Sequence, residues 1–169
     1  MRLPVSLLLA LACAGCVGRN ATVGEAFPPA AVAAPWLLSE PVWSGSFEEA
    51  AAALGDDAEV WRRFSPTRVW LAVYRHESDP EKRLTVRCLA FTSAEQARHA
   101  YTALAPPAAA PYEIGDGGCW TDIGVLFHWG RLVFDIFGPQ AAWTSQVQAN
   151  YLAAIISRRM PAGLTDDPR

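Results

Sequence analysis

His128 and Asp135 are the pair in this chain whose residue types best suit proton transfer. Both lie in the segment IGVLFHWGRLVFDIFG, which alternates like two strands joined by a tight turn. Strand periodicity puts them on one face, and Arg87 and Thr85 fall on the corresponding face of RLTVRCLAFT. A histidine beside a carboxylate is tuned for general acid–base work. The polar, solvated face of a half-buried sheet would hold the same residues, and that plainer reading is preferred. His76 and His99 stand alone, the first beside a polar loop and the second on a helix surface. The sequence contains neither a Gly-x-Ser-x-Gly elbow nor a His-Glu-x-x-His pair. A non-catalytic domain is therefore expected.

Gly115-Asp116-Gly117-Gly118 has the glycines of a phosphate cradle, but the chain beyond it enters strands, not a helix N-terminus. It reads as a turn. Asp116 and Asp122 lack the alternating oxygen ligands of a calcium loop, so no metal or other cofactor is expected. Most of the seven tryptophans are core or sheet-covering residues by their setting. Trp129, at the hairpin tip, is the candidate for an exposed docking aromatic, flanked by His128.

Several elements must position these residues. Ser46-Phe47-Glu48-Glu49 has capping-box spacing before an alanine run ended by Gly55, which predicts a helix over 47–54. RVWLAVYRH is apolar on both faces and predicts an interior strand; HESDPEKR then connects it to RLTVRCLAFT in a hairpin. Ser93 caps a second helix, with Gln96 at the reciprocal position, and APPAAAP ends it. After a short strand at 112–114 and the glycine turn comes the second hairpin, centred on Trp129-Gly130 as a type I′ connection. A final helix over 141–160 carries Trp143, Val147, Tyr151, Ala154 and Ile155 at helical spacing. These elements imply an α+β domain: an antiparallel sheet of four to five strands from two hairpins, with two to three helices mainly on one face.

The chain carries 17 acidic and 14 basic residues in 169, without a basic patch, which argues against nucleic acid as a partner. Its first sixteen residues, MRLPVSLLLALACAGC, place Arg2 before a short apolar run and small residues before Cys16. That is the layout of a secretory signal, too short to span a bilayer. The Ala14-Gly15-Cys16 ending resembles the lipobox of bacterial lipoproteins, with Cys13 where the pattern usually has Leu. The resemblance implies cleavage before Cys16, a lipid on its sulfur and membrane attachment through that lipid. Val17 in place of Asp implies the outer membrane facing the periplasm rather than the inner membrane. An ordinary signal peptide ends in similar small residues.

Residues 16–41 are rich in Ala and Pro and read as a tether from the lipidated cysteine, 42–160 as one domain and 161–169 as a flexible tail. Beyond Cys16 the mature chain keeps Cys88 and Cys119, in a compartment that permits disulfides. A Cys88–Cys119 bridge is expected, with two buried thiols as the competing reading. The second half of the domain resembles uncharacterised bacterial secreted domains, which implies no activity. Together these features point to a membrane-anchored envelope domain for protein interaction or scaffolding, with an envelope protein as partner. A small-ligand-binding or sensing domain is the alternative.

Overall fold

A computed structural model describes residues 22–138 and 143–160. The expected signal and lipidated Cys16, within residues 1–21, and the expected tail at 161–169 lie outside the described residues. The chain is α+β, and its sheet is larger than the sequence predicts. In chain order the elements are α1 (Val23–Ala26), α2 (Ala30–Ala33), β1 (Trp36–Leu38), β2 (Trp43–Ser46), α3 (Phe47–Leu54), α4 (Asp57–Arg62), β3 (Arg68–His76), β4 (Asp79–Ala90), α5 (Ala94–Leu104), β5 (Pro111–Tyr112), β6 (Gly117–Trp120), β7 (Gly124–Trp129), β8 (Leu132–Phe137) and α6 (Trp143–Arg159). The strands form one antiparallel sheet in the order β1-β3-β4-β8-β7-β6-β5, with β2 beside β1 on the free edge of β3.

Two apolar layers hold the sheet, one on each face. Val86, Cys88, Phe127, Phe134 and Ile136 point to one side, where α6 lays down Ala149, Leu152, Ala153 and Ile156. Val69, Leu89, Leu126 and Val133 point to the other, beneath Phe47 and Leu54 of α3, Trp61 of α4 and the alanines of α5. Helices thus cover both faces, against the expectation of one. Full burial of each large side chain contributes about 1.5–3 kcal/mol, so neither layer is dispensable.

The tether expectation fails from residue 22 onward. Val23, Ala26, Phe27, Ala33 and Trp36 are all buried in the core under α6. The prolines forbid one long helix there but not two single-turn helices and an edge strand. Thr22-Val23-Gly24-Glu25 carries the relevant signal: the Thr22 amide donates to the Glu25 carboxylate at 3.1 Å, as in a capping box.

Three local expectations also change. The β7–β8 turn lies at Gly130-Arg131, with Trp129 paired to Leu132. Gly130 at φ +52° takes the first turn position, and Arg131 is not at positive φ, which is the type II′ arrangement. This spares Trp129 a left-handed backbone, and the shift leaves every side chain on its expected face. Asp79-Pro80 belongs to β4, where the register slips at Arg75/His76 and β8 has not yet joined, so the missing proline amide costs no ladder bond there. On α6, Val147 and Tyr151 are exposed while Ala149, Leu152, Ala153 and Ile156 are buried. Small residues permit close approach to the sheet, so the largest side chains do not mark the inward stripe.

A cleft between the sheet and its helices

The candidate site follows from where the helices stop. On the face covered by α3, α4 and α5, the cross-strand row Val69–Leu89–Val133–His128 is buried. In the next row, Leu71, Arg87, Asp135 and Leu126 stand side by side. Here a cleft of about 260 Å³ is lined by α4 on one side and the sheet on the other. Helical spacing on α4 aims Asp57, Val60 and Trp61 into this cleft. Leu104 from the end of α5 and Ile123 from the β6–β7 connection supply further apolar wall. Val60 and Ile123 are exposed at its mouth.

Three charges meet in the cleft. Nη1 of Arg87 donates to Asp57 Oδ2 at 2.5 Å and lies 3.6 Å from Asp135 Oδ2. The guanidinium also stacks over Phe137, 4.3 Å from the ring centroid. These contacts fix Arg87, whose side chain is only 12% exposed. Asp135 is 19% exposed, and no hydrogen bond reaches its carboxylate among the described residues. Burial pushes its pKa up to about 6; Arg87 opposes that rise and Asp57 adds to it. Both acids ionised give the cleft one net negative charge.

His128 does not join this group. Its ring packs at 4.9 Å from that of Tyr101, its Nδ1 has no hydrogen-bond partner among the described residues, and it does not line the cleft. Burial lowers its pKa despite Asp116, which favours the neutral ring. The shared face predicted for His128 and Asp135 is present, yet an acid–base pair is not. Thr85 sits opposite Phe137, one row beyond the cleft's charges.

The other candidate residues have structural surroundings. Trp129 packs half-buried against the α6-side core, opposite Leu132. Asp116 closes the hairpin tip: its carboxylate accepts from the Gly130 amide at 2.6 Å, and its own amide donates to the His128 carbonyl at 2.9 Å. The glycine segment therefore serves as a turn running into β6, not as a phosphate cradle.

The expected Cys88–Cys119 bridge is absent; both thiols are free and buried. Cys88 faces the α6 layer and Cys119 the opposite one. Three strand spacings separate β4 from β6, about 14 Å, twice the Cα separation a disulfide tolerates. Burial raises both thiol pKa values, so neither is an activated nucleophile.

Asp57 is the site residue that sequence reasoning missed. The spacing of Asp57, Val60 and Trp61 behind Gly55 was its only signal, in a helix of just six residues. Compared with protein families, curated proteins and solved structures, the chain matches none of them.

Proposed function

We propose that this chain is a lipid-anchored, non-catalytic envelope domain that binds a small molecule in the Arg87–Asp135 cleft. The observation that carries this reading is the cleft itself: apolar walls around a fixed arginine and a carboxylate with no hydrogen-bond donor among the described residues. Small-molecule sites have this composition, with a few placed polar groups among apolar side chains. The ligand-binding reading is preferred to protein docking because Trp129, the intended docking aromatic, turns half-buried onto the core. Attachment through a lipid on Cys16, at the outer membrane facing the periplasm, remains part of the proposal and rests on the lipobox-like sequence.

Two measurements test the two halves of this reading. Intact mass of the membrane-extracted protein should give a chain beginning at Cys16 with a diacyl or triacyl increment. An unmodified mass would remove the anchor. Methyl NMR spectra recorded with a set of small cationic, anionic and neutral fragments should show shifts concentrated at Leu104, Ile123 and Leu126. Shifts scattered over the surface, or centred on the Trp129 hairpin, would remove the cleft as the ligand site.

A further inference from the structure

We propose that the cleft selects a small organic monocation, a primary ammonium or guanidinium on a compact apolar body, with Asp135 receiving the cationic head. This rests on the cleft being the ligand site. The first ground is how the three charged groups are engaged. Arg87 meets Asp57 at 2.5 Å and Asp135 at 3.6 Å through the same Nη1, with the Phe137 ring beneath it, so two carboxylates already oppose its charge even though further N–H donors remain. Among the described residues Asp135 has only the 3.6 Å approach of Arg87 and no hydrogen bond, although a carboxylate has room for about four. A ligand bringing N–H donors satisfies that carboxylate; a ligand bringing acceptors leaves it unmet and adds repulsion.

The second ground is net charge. Two carboxylates and one guanidinium leave one negative charge facing the cleft, and a monocation neutralises it. The third is shape. At about 260 Å³ the space falls just below the range usual for drug-sized ligands, so a single ring or short branched chain fits. Val60 and Ile123, exposed at the mouth, and Trp61 beside them give that body an apolar seat.

The ionisable groups facing Asp135 are Arg87 from β4 and Asp57 from α4; its neighbours from β7 and α5, Leu126 and Leu104, do not titrate. Affinity for the cation therefore rises between about pH 5 and 7, as the Asp135 carboxylate ionises.

The test uses three probes of similar size: phenethylammonium, 2-phenylethanol and phenylacetate. Calorimetric titration into the intact protein at pH 7.5 and constant ionic strength gives their relative affinities. The alcohol should bind at least about tenfold more weakly than the cation, and the anion should not bind detectably. Asp135→Asn should erase the preference for the cation over the alcohol. Leu126→Ala, which leaves the charges in place, should keep that preference while weakening both. Tightest binding by the anion would overturn the cation assignment and make Arg87 the recognising group, with the cleft retained as the site. Equal binding of cation and alcohol, or a cation preference that survives Asp135→Asn, would also overturn it. No binding by any probe would overturn both this assignment and the cleft reading.

Discussion

Asp135→Asn stabilises the free protein at neutral pH by about 2–3 kcal/mol. The direction follows from where the carboxylate titrates. Its folded-state pKa of about 6 lies above the ordinary aspartate value of 3.8, so between those values the folded state holds a proton that the unfolded chain has released. Stability therefore falls as pH rises through that window. The full cost, about 3 kcal/mol, is present above the folded pKa and absent below about pH 4. Asparagine keeps the shape without the charge, and Arg87 keeps Asp57 as its partner. Urea denaturation of both proteins at pH 4, 6 and 8 should give nearly equal stabilities at pH 4 and a widening gap above it. A variant that is less stable than the wild type at pH 8 would mean that Asp135 contributes to the fold. The expected gain has a functional meaning, because a residue that destabilises its own fold is most simply retained for what it binds.

Gly124→Ala unfolds the domain or costs at least about 4 kcal/mol, the largest loss expected from any single methyl group here. A Cβ at this position would lie 1.9 Å from the Ile136 carbonyl oxygen and 2.8 Å from two further backbone atoms of β8. No side chain can move aside to relieve that overlap. The affected pairing, Gly124 with Phe137, is the last rung of the β7–β8 ladder and adjoins the cleft wall. Gly130→Ala makes the contrast, since a Cβ there meets nothing and only the positive φ resists it. That variant should lose about 1–2 kcal/mol, read as a smaller fall in the urea midpoint. Equal stability of Gly124→Ala and wild type would require a different β7–β8 register.

Much of the central fold was legible from periodicity and caps. Ser46 and Glu49 form the expected reciprocal cap of α3, with the Ser46 amide donating to Glu49 at 2.7 Å. Ser93 caps α5 by accepting from the Gln96 amide, although the Gln96 side chain turns instead to the Thr92 hydroxyl. Alternation along β4 assigned Leu84, Val86 and Cys88 to one face and Arg87 to the other, and that is where they lie. What escaped was the short and the non-local. α1, α2, β1 and β2 are three or four residues each, too brief for any period to emerge, and alanine and proline there resembled a linker. β6 was hidden in a glycine pair, yet Gly118 is buried against Ile114 and Phe127, where a side chain would not fit. The Cys88–Cys119 pairing followed from counting thiols, which carries no information about faces. For the site, the Arg87–Asp135 pairing was visible as a shared face. Its third member, Asp57, arrives thirty residues before Arg87 in sequence, on a helix whose position only the folded chain defines.

In the proposed binding mode, Asp135 lines the open cleft as a carboxylate that receives a cationic head. The most direct measurement is a pH titration of its side-chain carboxyl carbon by NMR, with and without phenethylammonium. The free protein should show a midpoint near 6, and saturating phenethylammonium should move it down by at least about one pH unit, since the bound cation favours the ionised form. A midpoint near 4 in the free protein, or one that phenethylammonium leaves unmoved, would contradict the account.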